Sequence, residues 1–254
     1  MAIKWRNKLE SNSNFDWRDF SYRQSNKPLR EAVDLRPWAS TIEDQRHLGS
    51  CTGNAIVGGY ELLLRRDAPD KFTELSRLFV YYNARIFDNA IEVDVGAFLR
   101  DGIKAIARWG VCTETLHPYN ILNFAATPSI ASYVDAATRT IKNYYSIQTL
   151  DQILDALNND YPVPFGVNVY SGFDDITTRN YIIPVPDRSE EPLGGHAMCF
   201  VGYDLPRRLL LVRNSFGVDW GDKGYCWMPF DYVLNESLDS WVFDISLQPL
   251  VSIK

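Results

Sequence analysis

The chain has 254 residues, a formal net charge of −6 and 13% aromatic residues. That length suits one large domain or two tightly joined lobes, and the aromatic content supports a packed interior over disorder. The acidic balance weighs against nucleic acid or an anionic membrane as partner, and no apolar run reaches the roughly 18 residues of a membrane span.

Met1 to Lys8 lack the apolar centre of a signal peptide. The four cysteines, Cys51, Cys112, Cys199 and Cys226, are far apart, as are the three histidines. Zinc needs ligands clustered at short spacings, so neither a metal site nor a cofactor is expected. Buried free thiols are the expectation for the cysteines outside any active site, and they point to a reducing, cytoplasmic setting, with signal-independent export as the alternative. A monomer is expected.

Residues 1–32 are polar and form an N-terminal arm with an aromatic island at Asn14–Tyr22. The arm is read either as a loosely packed segment or as a short pro-segment whose aromatics plug a cleft. Compact structure begins at Val33, giving one domain over 33–254 with a helical lobe to about residue 135 and a strand-rich lobe from about 136. Ser50 is placed to cap a helix running from Cys51 to Arg66, which is apolar nearly all round and should be buried. Its glycines, Gly53, Gly58 and Gly59, weaken the helix and call for close neighbours.

Further helices are expected over 76–88 and 97–109, the second ended by Gly110. The second half reads as strand 140–147, helix 149–158 and strands 163–169, 196–203, 209–214, 225–228 and 240–247. Pro162 and Pro164 mark strand 163–169 as an edge or irregular strand. Helices first and strands second give an α+β fold with a cleft between two lobes.

Three residues carry chemistry. Cys51 opens a helix, where the dipole favours a thiolate, the reactive form of cysteine. His196 follows Gly194-Gly195 and opens a strand, and Asn214 ends the next strand. Antiparallel neighbours place the start of one beside the end of the other, so Asn214 can orient a His196 ring that faces Cys51.

Gln45…Gly49-Ser50-Cys51, Gly195-His196-Ala197 and Asn214-Ser215-Phe216-Gly217…Trp220-Gly221 resemble, in this order, the motifs of papain-like cysteine proteases. The resemblance covers roughly residues 33 to 247, with Val33-Asp34-Leu35-Arg36 like the start of a mature enzyme. It implies a two-lobed fold with a barrel-like second lobe, and peptide-bond hydrolysis through an acyl-enzyme on a peptide or protein substrate. By position, Cys51 is the nucleophile, His196 the general acid and base, Asn214 the orienter and Gln45 an oxyanion donor. Gly96 and Ala97 fall where the family binds substrate backbone, and an apolar specificity pocket falls to Phe98, Leu99, Gly166 and Gly194.

The chain departs from the family pattern at Thr52 and Phe216, both usually tryptophan, and at Leu48, usually a disulfide cysteine. A non-catalytic binding module on the same fold, and acyl transfer or amide hydrolysis on side chains, are the competing readings. The intact set of four weighs against the first, and asparagine as orienter against the second.

Overall fold

The computed structural model describes residues 19–25, 27–174 and 176–248. The first lobe is built on α1 (Cys51–Asp67), flanked by α2 (Arg77–Ile86) and α3 (Leu99–Trp109). Every residue of α1 from Thr52 to Leu64 is buried, as its all-round apolar sequence requires. The expected close approach is seen at Gly53, where a Cβ would stand 2.6 Å from the carbonyl oxygen of Arg77. Gly110 ends α3 with φ 82°, a left-handed backbone that glycine adopts without steric cost.

The rest is an antiparallel sheet: β1 (Ala32–Asp34), β2 (Arg139–Ile147), β3 (Val163–Val169), β4 (Gly194–Asp204), β5 (Leu209–Arg213), β6 (Tyr225–Pro229) and β7 (Ser237–Leu247). The strand order is β2-β7-β3-β4-β5-β6, with β1 on β4, so the sheet is open and not a closed barrel. Helix α5 (Leu150–Asn158) packs on it, started by a capping box of Thr149 and Gln152. Two short helices escape the sequence reading, α4 (Ile130–Ala136) and α6 (Phe230–Glu236), each too brief for helical periodicity to show.

The edge assignment of residues 163–169 is corrected: β3 lies inside the sheet, between β7 and β4. Pro164 is tolerated there because it pairs only with Cys199 of β4, the pairing with β7 beginning one residue later at Phe165.

The described part of the arm is tied to both lobes, mainly to the second. Phe20 and Tyr22 exchange backbone hydrogen bonds with Ser146 of β2. The Tyr22 and Ser25 hydroxyls donate to the buried carboxylate of Asp155 at 2.8 and 2.7 Å. The Arg30 backbone N–H donates to Asn158 Oδ1 at 3.0 Å, and its guanidinium reaches Asp160 at 2.7 Å. Asp19 forms a two-pronged ion pair with Arg100 at 2.7 and 2.8 Å. The aromatic island at 14–22 falls within the described residues only from Asp19 onward.

Candidate active site

Cys51 begins α1 and stays partly exposed where the helix meets β4. Ser50 does not cap the helix: its hydroxyl makes no cap hydrogen bond and pairs with the hydroxyl of Tyr119 while accepting from Asn54 Nδ2 at 3.1 Å. A thiol at a helix start is drawn toward the thiolate. Burial prevails here and pushes the Cys51 thiol up, opposed by the backbone N–H of Ala197 and by Thr52. That Ala197 contact puts the sulfur beside the residue following His196.

His196 is buried, and its ring Nε2 lies 2.8 Å from Asn214 Oδ1. Asn214 Oδ1 also accepts the backbone N–H of Ser215 at 2.8 Å, which fixes the amide orientation. The oxygen can only accept, so Nε2 carries the ring proton and Nδ1 is the basic nitrogen. Burial drives the imidazole pKa down to about 4, the Asn214 bond opposing it. Phe216 stacks on the imidazole with centroids 4.7 Å apart, and Trp220 meets Phe216 edge-on at 5.5 Å. The cover expected from tryptophan is thus supplied by a Phe–Trp pair.

Gln45 is buried and held at both ends of its amide. Its Oε1 accepts the Ser215 hydroxyl at 2.6 Å and its Nε2 donates to the Leu48 carbonyl at 3.0 Å, leaving one N–H for another acceptor. Its backbone N–H donates to the Ser215 carbonyl at 2.8 Å, and Tyr119 donates to its carbonyl at 3.0 Å. Loop 43–45 and segment 215–217 are thereby joined as a short antiparallel pair. Sequence reasoning missed Tyr119 and the hydroxyl of Ser215. Tyr119 lies 74 residues from Gln45, and no local pattern could announce it.

Gly96 has φ 85°, and its N–H donates to the Tyr81 hydroxyl at 3.3 Å. The hydroxyl of Thr52 donates to the Ala97 carbonyl at 2.7 Å. Phe98 precedes α3, Gly166 sits in β3 opposite both Ala197 and Asp239, and Gly194 opens β4 opposite Val169. Leu99, expected as a pocket wall, is wholly buried in the first lobe's core and presents no surface to a ligand.

Among the described residues no group of three or more His, Cys, Asp or Glu could hold a metal ion. No helix among them is long and apolar enough to cross a membrane. All four cysteines are free thiols.

The family model of the papain family cysteine proteases matches residues 29–236. The chain belongs to this family. An uncharacterized peptidase C1-like protein of Acanthamoeba polyphaga mimivirus is 36% identical to this papain-family protease over 236 residues, 88% of this chain and 76% of the viral one. Cysteine proteinase 2 of Entamoeba histolytica is 25% identical over 210 residues, which are 77% of this chain and 62% of that protein.

Among solved structures, xylellain, a cysteine protease from Xylella fastidiosa, matches with TM-score 0.85 and 31% identity over 98% of this chain and 100% of its own. Procathepsin L 3 of Tenebrio molitor shares the fold at TM-score 0.69 and 20% identity, covering 89% of this chain and 73% of the other. The protein is a cysteine peptidase, a hydrolase acting on peptide or protein substrates.

Proposed function

We propose that the protein is an endopeptidase in which Cys51 attacks the scissile carbonyl, His196 moves the proton and Asn214 holds the ring. The observation that carries this reading is the 2.8 Å bond from His196 Nε2 to an Asn214 oxygen that can only accept. It commits Nδ1 to take the thiol proton. As the sulfur bonds to the carbonyl carbon, that proton passes to His196 and then to the leaving amine, giving an acyl-enzyme. His196 next takes a proton from water, whose oxygen displaces the sulfur and releases the acid product. The free N–H of Gln45 and the backbone N–H of Cys51 supply the oxyanion donors. The backbone of Gly96 and Ala97 lies beside the substrate chain.

An N-terminal segment released on activation would end before Asp19, because Asp19 is paired with Arg100 of the first lobe and Tyr22 and Arg30 are bonded into the second. The zymogen reading thus narrows to the stretch ahead of Asp19.

Replacing Cys51 by alanine tests the assignment. Hydrolysis of a peptide mixture, followed by mass spectrometry, is expected to vanish in Cys51→Ala, and a thiol-directed epoxide is expected to label the wild type at Cys51 alone. Cleavage that survives the substitution overturns the reading. Glutamine deamidation in place of chain cleavage would favour the acyl-transfer alternative.

A further inference from the structure

The two proposed oxyanion donors sit at the ends of one short loop, the side-chain amide of Gln45 at its start and the backbone N–H of Cys51 at its close. A donor acts fully only at hydrogen-bond distance from the developing charge, so the spacing of these two ends bears on the reaction itself. Arg46, inside the loop, has φ 55°, a left-handed backbone that a non-glycine residue keeps only under constraint from its surroundings.

Tyr119, in the connection between α3 and α4, supplies such a constraint. Its hydroxyl donates to the Gln45 carbonyl at 3.0 Å and pairs with the Ser50 hydroxyl, so one oxygen joins both ends of the loop. With its proton on the Gln45 carbonyl, the Tyr119 oxygen accepts from Ser50, and Ser50 Oγ in turn accepts from Asn54 Nδ2 at 3.1 Å. Asn54, Ser50, Tyr119 and Gln45 thus form a chain of donors pointing one way, in which each bond polarises the next. Asn54 Nδ2 also donates to the Ser50 carbonyl at 3.0 Å. That carbonyl belongs to the same planar peptide unit as the Cys51 N–H, so holding one holds the other.

Arg77 of α2 backs the chain. Its guanidinium lies 4.1 Å from the centre of the Tyr119 ring, donates to Asn54 Oδ1 at 3.1 Å and pairs with Glu43 at 2.9 Å. Gln45, Ser50, Asn54 and Arg77 are all buried, so a bond lost among them is not readily replaced by water.

Resting on the peptidase reading, we propose that Tyr119 is a positioning residue of the oxyanion hole, its hydroxyl fixing the distance between the Gln45 side chain and the Cys51 N–H. It acts through those two donors. Its removal therefore weakens the hold on the oxygen that becomes charged in the transition state and leaves the binding of the uncleaved peptide as it was.

Tyr119→Phe keeps the ring and its stacking on Arg77 and removes the hydroxyl. With active sites counted by the thiol-directed epoxide, kcat is expected to fall about tenfold, less than the loss of a whole donor, with KM within about twofold of wild type. A peptide aldehyde reports on the hole directly. Cys51 adds to its carbonyl carbon, the thiol proton passes to His196, and the aldehyde oxygen takes the place of the oxyanion. Its inhibition constant, which does not depend on the folded fraction, is expected to rise in step with the fall in kcat. Removing the hydroxyl in a Gln45→Ala background is expected to cost clearly less than in wild type, since one of the two donors it positions is already gone. Ser50→Ala, which breaks the chain at its other end, is expected to show the same split between kcat and KM. Hydrolysis that survives Cys51→Ala overturns the peptidase reading and the proposal with it. A peptidase labelled at Cys51 whose Tyr119→Phe variant binds the aldehyde normally, or shows a raised KM with kcat unchanged, overturns the proposal alone.

Discussion

Thr52 stands immediately after the candidate nucleophile, where the family usually has an aromatic residue. In a buried position its hydroxyl donates to the Ala97 carbonyl at 2.7 Å, tying the segment proposed to lie beside the substrate to the helix that carries the sulfur. A second tether runs through Asp94, whose Oδ1 accepts from the Gly49 N–H at 2.9 Å and from the Tyr81 hydroxyl at 2.6 Å. Thr52→Val keeps shape and removes the donor, leaving a buried carbonyl unmatched at a cost of about 1–3 kcal/mol. Steady-state kinetics are expected to show KM raised about tenfold with kcat less affected, and Thr52→Ser restoring the wild-type value. Equal loss in kcat and KM terms, with no rescue by serine, would assign Thr52 a purely structural role.

At the scale of elements, Tyr22, Ser25 and Arg30 of the arm are anchored to the second lobe. Asp155 and Asn158 on α5 are buried, and their side-chain partners include Tyr22, Ser25 and Arg30. Deleting residues 1–32 leaves those groups buried or newly exposed without their partners, each at a cost of about 1–3 kcal/mol. Thermal unfolding is expected at a clearly lower Tm for that truncation than for one lacking only residues 1–18, which keeps every one of these bonds. Equal Tm values for the two would show that the strap adds no stability.

At the scale of the whole molecule, three buried groups link stability to pH. His196 is held neutral, its pKa lowered from 6.5 to about 4. Its contribution is complete above pH 6.5 and is lost as pH falls toward 4, since the unfolded chain takes up the proton first; the total is roughly 3 kcal/mol. Glu61 and Asp239 act in the opposite sense. Burial raises them to about 7 and about 6, so each adds stability at low pH that is lost as pH rises through its own window. The wild-type profile is therefore a partial cancellation. The His196 share appears in the difference between wild type and His196→Asn, measured by denaturant unfolding from pH 4 to 6.5. The difference is expected to narrow as pH falls, and one that stays constant would mean the imidazole is not held neutral.

The division into helices then strands was legible in the sequence, because periodicity and turn residues are local signals. The order of Cys51, His196 and Asn214 was legible too, because each sits at the end of an element and carries its chemistry in its residue type. Other features needed the tertiary structure. Pro164 reads as an edge residue until the one-residue offset of β7 is seen. Ser50 reads as a cap until Tyr119, 69 residues away, takes its hydroxyl. The arm reads as loose until its partners on α5, about 130 residues on, are in place. Sequence alone determined which chemistry the chain carries. Tertiary structure decided what surrounds it, because hydrogen bonds and strand pairs between distant residues leave no trace in either local segment.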